Sequence, residues 1–164
     1  MLAILQSLLA AGADPNTTID QLPILYDALR WHHPEIVPLL LQAHANPNPA
    51  LPAGVLPLLY VALDSKPEVL QHLLNAGADP NTHEQNGEPV LWYAVIHSIS
   101  EKPKDKAHKV ELLLARGANV HTRWDNGDRM TVQEAAHRDA AGYHIDPAIL
   151  TLLDRAATGT KPSR

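Results

Sequence analysis

The chain has no cysteine, no phenylalanine and few aromatic residues of any kind, and it shows no excess of positive charge, its formal net charge being −5 over 164 residues. The first absence removes any disulfide framework, thiolate metal site or cysteine nucleophile, and with them any reading of redox compartment. The acidic balance argues against a nucleic-acid partner, which calls for a basic surface. No apolar run approaches the roughly 20 residues needed to cross a bilayer. Met1-Leu2-Ala3-Ile4-Leu5 lacks the basic start of a signal peptide and runs directly into helical spacing, so no membrane insertion is expected. Also missing are a Gly-x-Ser-x-Gly elbow, a P-loop and a dinucleotide fingerprint. The ten histidines include no i, i+4 pair; His32 and His33 are adjacent, and His72, His97, His108, His121, His137 and His144 are scattered. No metal, cofactor or catalytic residue is therefore expected. With 45% hydrophobic and 19% charged residues the chain is an ordinary globular one.

What is present is a repeat. Leu73-Leu74-Asn75-Ala76-Gly77-Ala78-Asp79-Pro80-Asn81 has counterparts ending at residues 16, 48 and 121, so successive copies end 32, 33 and 40 positions apart. That period belongs to stacked helix-pair repeats. The paired leucines supply a last buried helical turn, and Gly12, Gly77 and Gly117 can take positive φ to close it. His44 stands in that place in the second copy, where a side chain costs roughly 1 kcal/mol or more, so its turn should be strained or reshaped. The Asp-Pro-Asn that follows, or its variant, starts an extended loop.

The units divide as 1–16 (partial), 17–48, 49–81, 82–121 and 122–156, a single array over 1–156, with 157–164 as a disordered tail. Leu2, Leu5, Leu8 and Leu9 read as the second helix of a repeat without its first, an edge that leaves leucines exposed and suggests self-association. First helices start at Pro23, Pro57, Pro89 and Met130, and second helices run from Glu35, Glu68 and Pro147. Asn86-Gly87 and Asn126-Gly127 are two-residue hairpin-turn signals. A polar stretch over 98–106 accounts for the long interval and reads as a surface loop carrying Lys102, Lys104 and Lys106, with Lys109 extending its basic patch.

These signatures, with the Pro-apolar-apolar-x-x-Ala helix starts and the Asn-Gly turns, resemble those of ankyrin-repeat proteins. The resemblance covers residues 1 to about 156, and it departs from the family pattern at Leu22, Leu56 and Glu88, where the family has threonine, at Leu25, Leu59 and Leu91, where it has histidine, and at His44. It implies an all-α solenoid of helix-turn-helix units with finger loops, whose concave face and finger tips bind another protein and which shares no common catalysis. The Ala-, Leu-, Pro- and His-rich usage is similar to that of bacterial members. A scaffold, an inhibitor plugging an active site, an immunity protein and a host-directed effector are all compatible, in the cytoplasm or delivered to a host cell.

Aligning the repeats through Ala28, Ala62 and Ala94 puts Tyr26, Tyr60 and Trp92 at one position, a candidate aromatic stripe facing the groove; packing between repeats is the alternative. Finger-tip candidates are His83 and Glu84 in one loop and Arg123, Trp124 and Arg129 in the next, with packing of Trp124 onto the adjacent finger as the alternative. Trp31-His32-His33, at the turn between two helices, could extend the groove; the reading preferred is that Trp31 is the buried anchor of that turn. A different class of function, an enzyme or enzyme subunit with a histidine–acid site in the groove, would require a deep pocket with convergent titratable groups.

Overall fold

Helices form where leucine, valine and alanine recur every three or four residues, and they break at Pro, Gly and His punctuation. The computed structural model describes residues 2–53, 58–96, 103–125 and 129–159, except for the side chains of residues 58, 60, 62 and 103. The elements are α1 (Leu2–Ala10), β1 (Thr18–Ile19), β2 (Leu22–Pro23), α2 (Ile24–Arg30), α3 (Val37–Gln42), α4 (Leu58–Leu63), α5 (Pro67–Asn75), α6 (Val90–Ile96), α7 (Pro103–Ala115), α8 (Val132–Asp139) and α9 (Pro147–Thr158). The chain is mostly helical. Among the described residues the one sheet is the β1–β2 hairpin, registered by Ile19 opposite Leu22. Asp20 and Gln21 both take positive φ at its tip, the geometry of a two-residue mirror-image turn made without glycine or asparagine.

The chain forms two compact units, Met1–Asp79 and Pro80–Arg164. Within the first, α2 packs on α3 and α4 on α5, while α2 also touches α4 and α3 touches α5. Its core is Leu25 and Leu29 of α2, Val37 and Leu40 of α3, and Leu70 and Leu73 of α5. The second unit repeats the arrangement: α6 packs on α7, α8 on α9, α6 on α8 and α7 on α9, around Val90, Leu91, Leu113, Ala135, Ile149 and Leu153. In each unit, then, helix pairs stack first helix on first and second on second. Among the described residues, α1 is the one helix with no buried residue.

Four helix ends share one hydrogen-bond pattern. Gly77 N–H donates to the Leu74 carbonyl and Ala78 N–H to that of Leu73, and the same register recurs at Gly12/Ala13, His44/Ala45 and Gly117/Ala118. This is the double closure that satisfies the last carbonyls of a helix when the closing residue is left-handed. The glycines sit at φ +89, +92 and +89, and His44 at φ +68, so the histidine adopts the glycine geometry rather than reshaping the turn. Since that geometry costs a side chain about 1–2 kcal/mol and glycine loses roughly 0.5–1 kcal/mol to chain entropy, His44→Gly is expected to stabilise the first unit by up to about 1 kcal/mol. A thermal melt of the variant that is unshifted or lowered would show that the imidazole makes a compensating contact.

After three of these turns an asparagine ties neighbouring levels together. In the first unit Asn16 Oδ1 accepts from Asn46 N–H at 2.7 Å; Asn48 Oδ1 accepts from Asp79 N–H at 2.8 Å and its Nδ2 donates to the Gly77 carbonyl at 2.8 Å. In the second, Asn81 Oδ1 accepts from Asn119 N–H at 2.8 Å and its Nδ2 donates to the Gly117 carbonyl at 3.2 Å. The asparagines that read as turn residues are also side-chain caps for a helix end 29 to 38 positions on.

Three local expectations are corrected. The segment expected as loop to residue 106 is already helix from Pro103, because proline is a ready first helical residue. That puts Lys104 and Lys106 on α7, and Lys109 is buried at 2% exposure on the inward face it shares with Leu113 one turn on, so Lys109 does not extend a basic loop patch; Lys102 lies outside the described residues. Asn86-Gly87 does not make a two-residue turn. Gly87 N–H donates to the Glu84 carbonyl and Glu84 N–H to that of Glu88, with Gly87 alone at positive φ (+80), a wider turn closed by the glycine. Of the expected tail 157–164, residues 157 and 158 belong to α9, while 160–164, like Asn126-Gly127, lie outside the described residues.

Candidate protein-binding surface

Two of the three residues of the aromatic stripe are not exposed. Tyr26 on α2 and Trp92 on α6 are each 6% exposed. Tyr60 lies in α4, but its side chain falls outside the described residues. Burial also raises the Tyr26 phenol above its usual pKa, partly offset by Arg30. Trp124, expected at a contact surface, is likewise buried at 6%. Its ring lies 5.5 Å from that of Trp92, tilted by 43°, and Tyr143 meets Trp92 edge-on at 6.1 Å. The physical reason is area: an indole removed from water at a repeat junction is worth more than one left in solvent, and aromatic pairs in tilted or edge-on contact add to that. With the few aromatics of this chain, the rings serve as filler inside the second unit. Trp31 reverses its expectation in the other direction. Read as a buried anchor, it is 65% exposed, with the Arg30 guanidinium 5.5 Å over its ring.

The loops of the second unit keep the polar candidates at the surface. The first finger is bridged between His83 and Pro89, and its base is closed by Val90 N–H donating to the Thr82 carbonyl at 3.0 Å. His83 is exposed and Glu84 half-buried. The second finger is bridged between Arg123 and Thr131. Arg123 donates to the Arg129 carbonyl at 2.7 Å and pairs with Glu134 at 3.3 Å. Arg129 itself has φ +52, and its exposed guanidinium makes no ion pair among the described residues. Trp124 joins the two fingers from beneath, its Cβ lying 3.7 Å from where a side chain at Gly87 would begin. The fingers are thus held at their bases by buried contacts, with His83, Arg123 and Arg129 outside.

The ionisable groups around this surface titrate in both directions. Burial, with Glu84 nearby, raises Glu88 above the ordinary carboxylate range, and Asn86 partly offsets the shift. Glu134 is lowered, first by the Thr131 N–H it accepts in a reciprocal cap of α8, then by the Thr131 hydroxyl and Arg123. Asp154 is lowered by hydrogen bonds from Gln133 and then His137. For these two lowered acids, the stabilising contribution is complete above the unfolded value near 4 and is lost as pH falls through the folded value. Glu88 acts oppositely, favouring the folded state at low pH. Below about pH 4, α8 and α9 are expected to gain hydrogen exchange ahead of the Val90–Leu113 core. Asp154→Asn should flatten that acid limb; an unchanged limb would place the sensitivity elsewhere.

His137 Nε2 and Asp154 Oδ1 stand 2.8 Å apart between α8 and α9 with both side chains about half exposed. Among the described residues no group of three or more His, Asp or Glu side chains is placed to hold a metal ion, and no helix is long and apolar enough to cross a membrane. The exposed N-terminal leucines and Trp31 carried weak signals in the sequence: apolar spacing without a partner helix, and an indole between an arginine and two histidines. No protein-family model matches the chain.

Proposed function

We propose that the chain is an ankyrin-type repeat protein that binds a protein partner through the finger tips of its second unit, with Arg129, Arg123 and His83 as the principal contacts. The four identically closed helix ends, the asparagine bridges and the stacked helix pairs within each unit support the repeat reading. The observation that carries the binding reading is Arg129. Its guanidinium is exposed and without an ion pair among the described residues, on a left-handed backbone whose carbonyl Arg123 holds. Strain of this kind is kept where the surroundings over-determine it, and it tends to accompany sites that must present a side chain. Arginine is also enriched among the few residues that dominate binding energy. Trp92 and Trp124 support this surface from inside and do not touch the partner; Tyr26 is buried within the first unit.

The test is cross-linking in source cells with a photo-reactive residue at position 83 or 129, followed by calorimetry on the captured protein. Arg129→Glu is expected to weaken that binding at least tenfold, the scale of a hot-spot residue, while a charge change at Glu68 on α5 leaves it unaltered. Equal binding by both variants would sink the finger-tip reading. A captured small molecule would favour the enzymatic alternative.

A further inference from the structure

Counting back from the end of each repeat signature, one position holds Ile4, Ile36, Val69 and Lys109, and the residue four further on is always leucine: Leu8, Leu40, Leu73 and Leu113. Three copies thus carry a β-branched hydrocarbon where the fourth carries an amine. The amine does not escape to the surface. Lys109 is 2% exposed on α7, beside Val110 and Leu113 at 0%, and Val69 on α5 is buried in the same way at 5%. An ammonium group is costly to take out of water, and replacing a buried, paired charge by hydrocarbon of similar volume is often neutral or stabilising. Stability alone therefore gives no reason for a lysine at a position where isoleucine and valine serve.

We propose that Lys109 keys the order of the array, holding α7 to its own place against α6 and excluding the pairing of helices from different copies. The copies are alike enough to need such a device. α3, α5 and α7 present Ile36, Val37 and Leu40; Val69, Leu70 and Leu73; and Lys109, Val110 and Leu113. The first helices they meet carry Leu25, Leu59 and Leu91 at one equivalent buried place. Without the lysine, each second helix would suit the first helix of another copy, and exchange of like elements within or between chains is a characteristic failure of repeat proteins. In the native fold Lys109 is not without a partner. Docked on α2 or α4, α7 would drive the amine into a site that accepts isoleucine or valine. An apolar helix docked in place of α7 would leave the group that Lys109 meets without its counterpart. Either error strands a buried polar group, which costs more than a satisfied one gains, so the lysine acts chiefly against the wrong pairings.

The experiment compares equilibrium urea denaturation of the full chain with its refolding from urea over a range of protein concentrations, native mass spectrometry counting the exchanged oligomers. Lys109→Ile supplies the side chain of the other copies. It should unfold at a urea concentration equal to or above the parent's, and yet refold with at least about fivefold more exchanged dimer or slowly refolding monomer, the factor that one stranded buried group represents. Lys109→Met keeps the unbranched stem and drops the charge. It should behave like Lys109→Ile, which assigns the effect to the amine and not to the shape of the replacement. Val69→Lys puts an amine into α5 and should unfold the first unit at lower urea. Lysine variants that are less stable than the parent but refold as cleanly would make Lys109 an ordinary stabilising contact. Variants at least as stable that also refold cleanly would leave it no part in assembly. Either result overturns the proposal, as does a Val69→Lys chain as stable as the parent, since α5 would then accept the lysine as readily as α7.

Discussion

Trp92→Ala is expected to unfold the second unit rather than to weaken a contact surface, at a cost of about 3–5 kcal/mol, the range for deleting a buried large aromatic. The ring joins three parts of the chain: its own helix α6, the second finger through Trp124 at 5.5 Å, and the turn before α9 through Tyr143 at 6.1 Å. Alanine would leave a cavity bordered by two rings that are fixed from different directions and cannot both collapse into it. The finger carrying Arg123 and Arg129 would lose its footing with Trp124, so binding would fail as a consequence of folding. Urea denaturation followed by circular dichroism measures the loss. Trp92→Phe, which keeps an aromatic face, should recover more than half of it, and only the alanine variant should raise hydrogen exchange in α6 and α8 together. A melting temperature for Trp92→Ala within a degree or two of the parent would return this ring to the list of surface contacts.

The repeat could be read from sequence because its punctuation is local. A leucine pair followed by glycine closes a helix by geometry confined to about six residues, and all four such turns, including the one built on His44, have the same hydrogen bonds. Helix positions followed from the same local logic to within a few residues. Exposure did not, because it depends on what lies across from a side chain. Tyr26 and Trp92 occupy a repeat position that can face a groove or a neighbouring level, and nothing within their own helices distinguishes these. Trp124 is flanked by Arg123 and Asp125, which reads as surface, yet the indole turns beneath the finger while its neighbours turn out. Trp31 misled in the opposite sense: its burial would require a helix on the far side of α2, where an open cleft lies. Arg129 was legible as a finger-tip residue, but its left-handed backbone and the hold of Arg123 on its carbonyl were not, since neither leaves a mark in composition or spacing.

Asn48→Ala is expected to cost the first unit about 2 kcal/mol, and Asn16→Ala about half as much, from the number of bonds each side chain makes at roughly 1 kcal/mol apiece. Asn48 makes two across levels, accepting from Asp79 N–H and donating to the Gly77 carbonyl, both at 2.8 Å; Asn16 makes one, to Asn46 N–H at 2.7 Å. The groups they serve belong to a closed turn and have left the regular helical ladder, so few protein partners can replace them. Water can reach this edge, which sets these figures as upper values. Asn48→Asp separates the two bonds: the acceptor for Asp79 N–H survives, while a carboxylate replaces the donor facing the Gly77 carbonyl. It should therefore cost at least as much as losing the Gly77 bond alone. The ordering can be read from chemical denaturation of the three variants, with the Asp79 amide exchanging faster in Asn48→Ala and not in Asn16→Ala. If Asn16→Ala and Asn48→Ala proved equally mild, the bridges would be consequences of stacking and the leucine core would hold the levels together unaided.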